Sequence, residues 1–599
     1  MSLKFFRLGV RPFWFLLMSV ALIMMGLAGV RANEYYGSRS LGKHLVSFAE
    51  QNSGLVRVDS IARSIGRRNV WLVEVGKGAE QDRKTRPAML VVAGIEGNDL
   101  IGCSVAVSWV EHLVERYESD IEIRKLLETT TVYVIPRLNP DAAEHFFARP
   151  KFETPLNDAR FDNDRDGLID EDGPEDINGD GLITWMRIED PEGECIFDPV
   201  DDRLLIKADH LKGEIGAWRY LTEGVDNDHD ELWNEDGPGG VNFNRNFPHN
   251  FKFFAPDAGV HQVSEAETRA LADFVVGHPN IGIVLTYGAA DNLSKTPKGA
   301  PSAGRRKPAA AIDEEDVGYY EAMGKLYRKA IGLKKELEGT SVPGAFSDWM
   351  YYHRGRLSLA ARAWSPAIAL ELSKAAEEKE RTASEQAEED QESFESERGK
   401  GSGGKGEEGK DDEDKRNEKE RRELKWFDEH APGAFVKWRP IEHPDFPNQW
   451  AEVGGYSPFA LTNPPAAMTE EVAAKHAGFL TEVAQQLPRI GIRKTESRHL
   501  GRSLYEVKIQ VENTGFLPTL LAHGRTTREI HPTRLVVELD DASFLSGTRI
   551  TNLPAIRGSG GMVEVRQIVQ APSRKKIDFE VVSMLAGQVE GTIELPDAE

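Results

Sequence analysis

AMLVVAGIEGNDLIG, residues 88–102, pairs a short β-rich apolar run at 88–93 with the start of a helical pattern that continues from Ile101 to Arg116. The same alternation extends in both directions. Apolar runs at 69–75 (NVWLVEV), 131–135 (TVYVI), 281–287 (IGIVLTY) and 367–370 (AIAL) predict further strands, and 264–276 and 317–331 predict helices. A chain that alternates in this way predicts an α/β layered domain around a largely buried sheet.

At 599 residues the chain is too long for one ordinary domain, and 40% apolar content is ample for more than one core. Its formal net charge of -24 excludes nucleic acid as a partner, because a phosphate backbone needs a basic surface. The acidity is local. Residues 158–237 carry 17 Asp and 9 Glu against 7 Lys plus Arg, and residues 373–425 carry 19 acids against 13 bases, so the remainder is nearly neutral. Two cysteines, Cys103 and Cys195, exclude a disulfide scaffold and a four-cysteine zinc site.

The N-terminus has Lys4, Arg7 and Arg11 ahead of an uncharged apolar run at 12–30, then Val30-Arg31-Ala32. This predicts a signal peptide, residues 1–32, and an exported, secreted, periplasmic or envelope protein; an uncleaved membrane anchor is the alternative. Export would permit a Cys103–Cys195 disulfide. An α/β domain over 33–372, with an insertion at 158–238, leads to a charged segment at 373–425 that reads as a disordered linker. Residues 426–488 complete the α/β domain, with a helix at 469–486. In 489–599, SLYEVKIQVENTG alternates at period two, and further strands at 534–539, 563–569, 577–584 and 592–595 predict a β-sandwich.

In chain order SIARSIGRRNVWLVEVG, AGIEGNDLIG, VYVIPRLNPDA, GGVNFNRNFP, SEAETRALADF and GAFSDWMYYHRG resemble motifs of the zinc carboxypeptidase family, the carboxypeptidase A-like metallocarboxypeptidases. The resemblance covers roughly residues 40 to 370 and extends over 426–490. It implies a carboxypeptidase-like mixed sheet flanked by helices, with the active centre at strand ends, a peptide substrate and a catalytic Zn2+. The family holds zinc with a His-x-x-Glu pair and a distant His, and a Glu activates the bound water.

Here the pair falls on Glu96 and Asp99 and the distant position on Leu285, which cannot ligate a metal. The general-base position falls on Arg362, thirteen residues after Trp349, with Glu371 as the rival placement. The resemblance implies that Asn244 and Arg245 bind a substrate carboxylate, that Arg149 is the second arginine, and that Tyr351 or Tyr352 is the family's mobile tyrosine. The alternative for Arg245 is an internal ion pair, and His249 and His261 read as surface or structural residues.

The insertion holds a repeat. DNDRDGLIDEDGP at 162–174 and DNDHDELWNEDGP at 226–238 agree at nine of thirteen positions, and a third pattern lies between them. Oxygen donors at alternate positions predict structural Ca2+ loops using Asp162, Asp164, Asp166 and Asp170, then Asp176, Asn178 and Asp180, then Asp226, Asp228, Asp230 and Asn234. Three readings of function follow: a zinc-free protein that binds a peptide or other carboxylate ligand, an active metallocarboxypeptidase, and a calcium-stabilised envelope protein that binds through its sandwich. A membrane partner requires that the N-terminal segment be retained.

Overall fold

A computed structural model describes residues 35–161, 167, 169–170, 172–229, 231–234, 240–301, 309–378, 415–572 and 574–596. Six strands form the central sheet: β1 (Val56–Arg63), β2 (Asn69–Val75), β3 (Ala88–Val92), β4 (Thr131–Ile135), β5 (Ile281–Tyr287) and β6 (Leu357–Ala361), in the order β1-β2-β4-β3-β5-β6. β1 and β2 are antiparallel, as are β2 and β4, and β4-β3-β5-β6 run parallel. Every residue of β3, β4, β5 and β6 is buried, which explains their unbroken apolar runs, since both faces are covered by helices.

One face packs on α1 (Ser38–Gln51), α2 (Leu100–Arg116), α4 (Val317–Ile331) and α7 (Thr469–Ala484), and the other on α3 (Ala266–Gly277) and α5 (Phe346–Tyr352). Between α5 and α7 in sequence comes α6 (Glu418–His430). Asp99 caps α2 by accepting Gly102 N at 3.1 Å. The wholly buried indole of Trp109 then donates to Thr481 Oγ1 at 3.0 Å, which ties α2 to α7; truncation to Ala would cost about 3–5 kcal/mol. Residues 469–484 therefore pack into the α/β unit.

Four expectations need correction. The run 367–370 lies in a helix over 366–378, not in a strand. Ser365 Oγ accepts from Ile368 N and Pro366 occupies the first helical position, a start signal that outweighs the apolar run, and the last strand of the sheet is β6 instead. The charged linker is shorter than predicted, because residues 373–378 and 418–425 are helical; 379–414 lie outside the described residues. The acidic insertion is more than loops. Its strands Trp185–Glu189, Cys195–Phe197, Leu205–Lys207 and Trp218–Thr222 join Phe435–Ile441 and Ala451–Tyr456 in a second, antiparallel six-stranded sheet, so part of 426–488 completes this sheet and not the α/β unit. Finally, Cys103 is buried in α2, Cys195 lies in the second sheet, and both are free.

Arg187 braces the second sheet. Its guanidinium stacks over Trp438 at 4.5 Å and Phe197 at 4.8 Å and pairs with Glu452 at 2.6 Å. The C-terminal region forms two four-stranded sheets around Val507, Ile509, Val511, Leu535, Phe579 and Val581. The strand Ile490–Gly501, absent from the sequence reading, pairs along Leu504–Asn513. This domain docks on the α/β unit through Asp316, whose carboxylate accepts Ala522 N at 2.8 Å, His523 N at 3.0 Å and the Tyr351 hydroxyl at 3.0 Å.

Candidate functional site

The C-terminal ends of β3, β5 and β6 converge with the 3-10 turn Phe243–Arg245 and the start of α5. The loop after β3 carries Glu96 and Asp99 and is pinned from several sides. A Cβ on Gly97 would lie 2.2 Å from the Ala142 Cβ, so only glycine lets the loop press on the helix Pro140–Glu144. Asn463 accepts Leu100 N at 2.9 Å and Ile101 N at 3.0 Å and donates to Asn98 O at 2.8 Å. Glu153 accepts from Asn98 Nδ2 at 2.9 Å and from Thr462 Oγ1 at 2.9 Å. Neither Asn463 nor Glu153 carries a sequence signal, since both act across long separations.

Glu96 is buried and both of its oxygens are engaged. Oε1 accepts from Asn244 Nδ2 at 2.9 Å and Oε2 from Ala289 N at 3.2 Å. Arg362 Nε donates to the carbonyl of the same Ala289 at 3.2 Å, so Glu96 and Arg362 hold the two peptide groups that flank one residue. Burial raises the Glu96 carboxyl, opposed by the Asn244 and Ala289 hydrogen bonds and by the Arg362 charge. Asp99 is pushed up to about 7, mainly by burial; its Oδ1 caps α2, while Oδ2 is buried without a hydrogen-bond partner among the described residues.

The other sequence candidates divide. Leu285 lies inside β5, paired with Val91 and buried in the apolar core; the backbone that meets Glu96 is three residues on, where a Cβ on Gly288 would come within 2.2 Å of Glu96 Oε2. Tyr287, at the end of β5, donates its hydroxyl to His476 Nδ1 at 2.9 Å, because His476 Nε2 must itself donate to the Ala363 carbonyl at 3.0 Å. Burial lowers His476 to about 4 and keeps it neutral. Glu371 is not a rival base: it sits on the helix after β6 beside Lys374, in a recess shared with Lys334 and Lys335.

Asn244 is central, since its Oδ1 also accepts Phe346 N at 3.2 Å. Arg245 forms an ion pair with Asp257 and remains about one-third exposed. Arg149 is exposed and makes no hydrogen bond or ion pair with either residue among those described. Tyr351 is fixed, its hydroxyl donating to Asp316 and accepting Asp313 N at 2.9 Å. Tyr352 instead stacks on His249 at 4.0 Å and lines a cavity of about 300 Å3 beyond β5 and β6, with Asp291, Lys295, Lys298, Ser347 and Asp348. Burial lowers His249 to about 4 and raises Asp348 to about 6. His261 is exposed.

These residues do not suit zinc. The Glu96 oxygens are occupied by N–H donors, an arginine braces the adjoining peptide, and no group of three or more His, Cys, Asp or Glu side chains among the described residues is arranged to hold a metal. In the insertion, Asp162, Asp164, Asp166 and Asp230 lie outside the described residues. Asp176 accepts Asp180 N and Gly181 N, Asp226 accepts His229 N and Glu231 N, and Asp170 pairs with Arg160. Position nine has a left-handed φ of 60° in both repeats, at Asp170 and Asn234.

Residues 42–166 and 216–393 match the family model described as zinc carboxypeptidase, and residues 489–594 match a Domain of unknown function (DUF8731). Carboxypeptidase M of Mus musculus is 29% identical over 110 residues, 18% of this chain and 25% of that protein. Carboxypeptidase A6 of Homo sapiens is 24% identical over 137 residues, 22% of this chain and 30% of that protein. The chain therefore spans less than a third of the length of these relatives. Among solved structures, thrombin activatable fibrinolysis inhibitor aligns over 55% of this chain and 66% of its own, at 13% identity and TM-score 0.36. Carboxypeptidase A from Helicoverpa armigera aligns over 59% and 72%, at 12% identity and TM-score 0.35. The gap between the two matched stretches, 167–215, falls within the acidic insertion, and with about half of its length under the family model the chain belongs to the zinc carboxypeptidase family.

Proposed function

We propose that this is an exported carboxypeptidase-family protein that binds a peptide or other carboxylate-bearing ligand without zinc-dependent hydrolysis. The observation that carries the reading is the Glu96 carboxylate, closed off by Asn244 and Ala289 N and braced through Ala289 by Arg362. A second cation beside that guanidinium would be repelled, and among the described residues no group of histidine, cysteine or carboxylate side chains offsets the cost. Binding capacity rests on different groups. Arg245 keeps N–H donors beyond the one given to Asp257, and the neighbouring cavity offers both signs of charge through Lys295, Lys298 and Asp348.

The test joins elemental analysis of the full chain to a hydrolysis assay on peptides with free C-termini. The expected result is no stoichiometric zinc and no release of C-terminal residues, with binding that is lost when the peptide is C-terminally amidated. Stoichiometric zinc with chelator-sensitive release would overturn the proposal in favour of an active metallocarboxypeptidase.

Structural calcium is part of the same reading. It is supported by the carboxylates of Asp176 and Asp226, each of which wraps its own loop by accepting backbone N–H groups, and by the shared backbone of the two repeats. Export is supported by the N-terminal charge and apolar pattern alone; among the described residues no helix is long and apolar enough to cross a membrane.

A further inference from the structure

We propose that the groove between α1 and the β1–β2 turn binds a phosphate-type oxyanion. The groove has a volume of about 750 Å3 and lies apart from the cavity beside Tyr352, with which it shares no lining residue. One wall is a stripe of α1 in which Arg39 and Lys43 stand four residues apart, on one face of the helix. The helix presses on Trp71 through Gly42, where a Cβ would lie 2.9 Å from the indole. The opposite wall is the turn carrying Arg67 and Arg68.

The cations are unevenly matched. Arg68 pairs with Asp141 at 2.6 Å, which fixes it at the rim. Arg39, Lys43 and Arg67 are exposed and make no ion pair among the described residues. Two carboxylates, Glu50 and Glu144, the latter turned to Ser38 N at 2.5 Å, stand against these three cations, which leaves the balance positive. Like charges four apart on a helix repel, and Arg67 further holds a left-handed φ of 60°, an unfavourable conformation for a residue of its kind.

In a chain of net charge -24 this is a local excess of positive charge with guanidinium forks on both walls. Such forks match the tetrahedral oxygens of a phosphate, and the volume admits a headgroup or a small phosphorylated molecule. α1 begins eight residues after Val30, the end of the N-terminal apolar run, a span of at most about 29 Å, so a lipid headgroup is within reach if that run is retained.

The experiment uses the full chain with two probes: inorganic pyrophosphate by calorimetry, and phosphatidylglycerol vesicles by co-sedimentation. Arg39→Gln/Lys43→Gln/Arg67→Asn should weaken binding at least tenfold, and Lys43→Glu alone should weaken it by less than the triple variant. Lys437→Gln/Arg439→Gln, which removes exposed charge elsewhere, should change it less than twofold. Loss with vesicles only supports a lipid source, and loss with pyrophosphate only supports a soluble one. No binding of either probe, or an equal loss in the control variant, overturns the proposal.

Discussion

Glu267 gives a pH-dependent prediction that rests chiefly on burial. It stands in the first turn of α3, is 1% exposed, and neither carboxylate oxygen has a hydrogen-bond partner among the described residues. Its charged neighbours are acids: Asp141, which also holds Arg68, Asp158, which contacts His145, and Glu265. A helix N-terminus favours a carboxylate by about 0.3–1 kcal/mol, whereas burying an unpaired carboxylate costs several. Desolvation wins, and the group is pushed up from 4.5 to about 7.

Because the folded value is raised, the penalty is absent below pH 4.5, where both states are protonated. It grows as pH rises through the interval and is complete above about 7. At about 1.4 kcal/mol per pH unit the loss by pH 8 is on the order of 3 kcal/mol. Glu267→Gln cannot ionise and escapes it. Thermal unfolding of the full chain from pH 4.5 to 8.5, followed on the α/β transition, should show the variant gaining on the wild type as pH rises, by about 5 °C or more at the top. Whatever the buried amide itself costs is constant across the series. A gap that is flat with pH, or that narrows upward, would refute the assignment of Glu267 as a neutral buried acid.

Three further outcomes are expected. Arg362→Met should destabilise the α/β unit by about 3 kcal/mol, and the Glu96→Gln/Arg362→Met double variant should recover at least about 1 kcal/mol of the summed losses in denaturant titrations; additive losses would mean that the two residues do not act through Ala289. Asp316→Ala removes the acceptor shared by Ala522 N, His523 N and Tyr351, so calorimetry should resolve a separate C-terminal transition, and an unchanged single transition would contradict the docking role. Calcium should raise the melting temperature of the wild type and do so less in Asp226→Asn, and equal shifts in the two would count against a calcium loop at that residue.

The elements legible in the sequence are those whose burial leaves a one-dimensional trace. β3, β4 and β5 are buried on both faces and read as unbroken apolar runs. Residues 367–370 leave the same trace from inside a helix, and only the Ser365-Pro366 start signal separates the two cases. The second sheet was hidden for another reason: Trp185–Glu189 finds its partner at Ala451–Tyr456, more than two hundred residues away, and both the acidic setting and that separation mask its pattern. At the candidate site, the family resemblance points to Glu96, Asp99, Asn244 and Arg362, and each lies at the end or turn of a legible element.

The third position, Leu285, lies within β5 and not at its tip, because a strand's end is set by its partners and not by its own residues. β5 continues through Thr286 and Tyr287, paired with Val92 of β3 and Ala361 of β6, so Leu285 stays in the core. Where the chain finally meets Glu96, a Cβ at 288 would lie 2.2 Å from Oε2, so a larger residue there would require the Glu96 carboxylate to turn away. A histidine at 285 would be buried in the apolar core, opposite Leu359 of β6. Among the described residues, Glu96, Asp99, Leu285 and Arg362 therefore do not make up a set of three zinc donors.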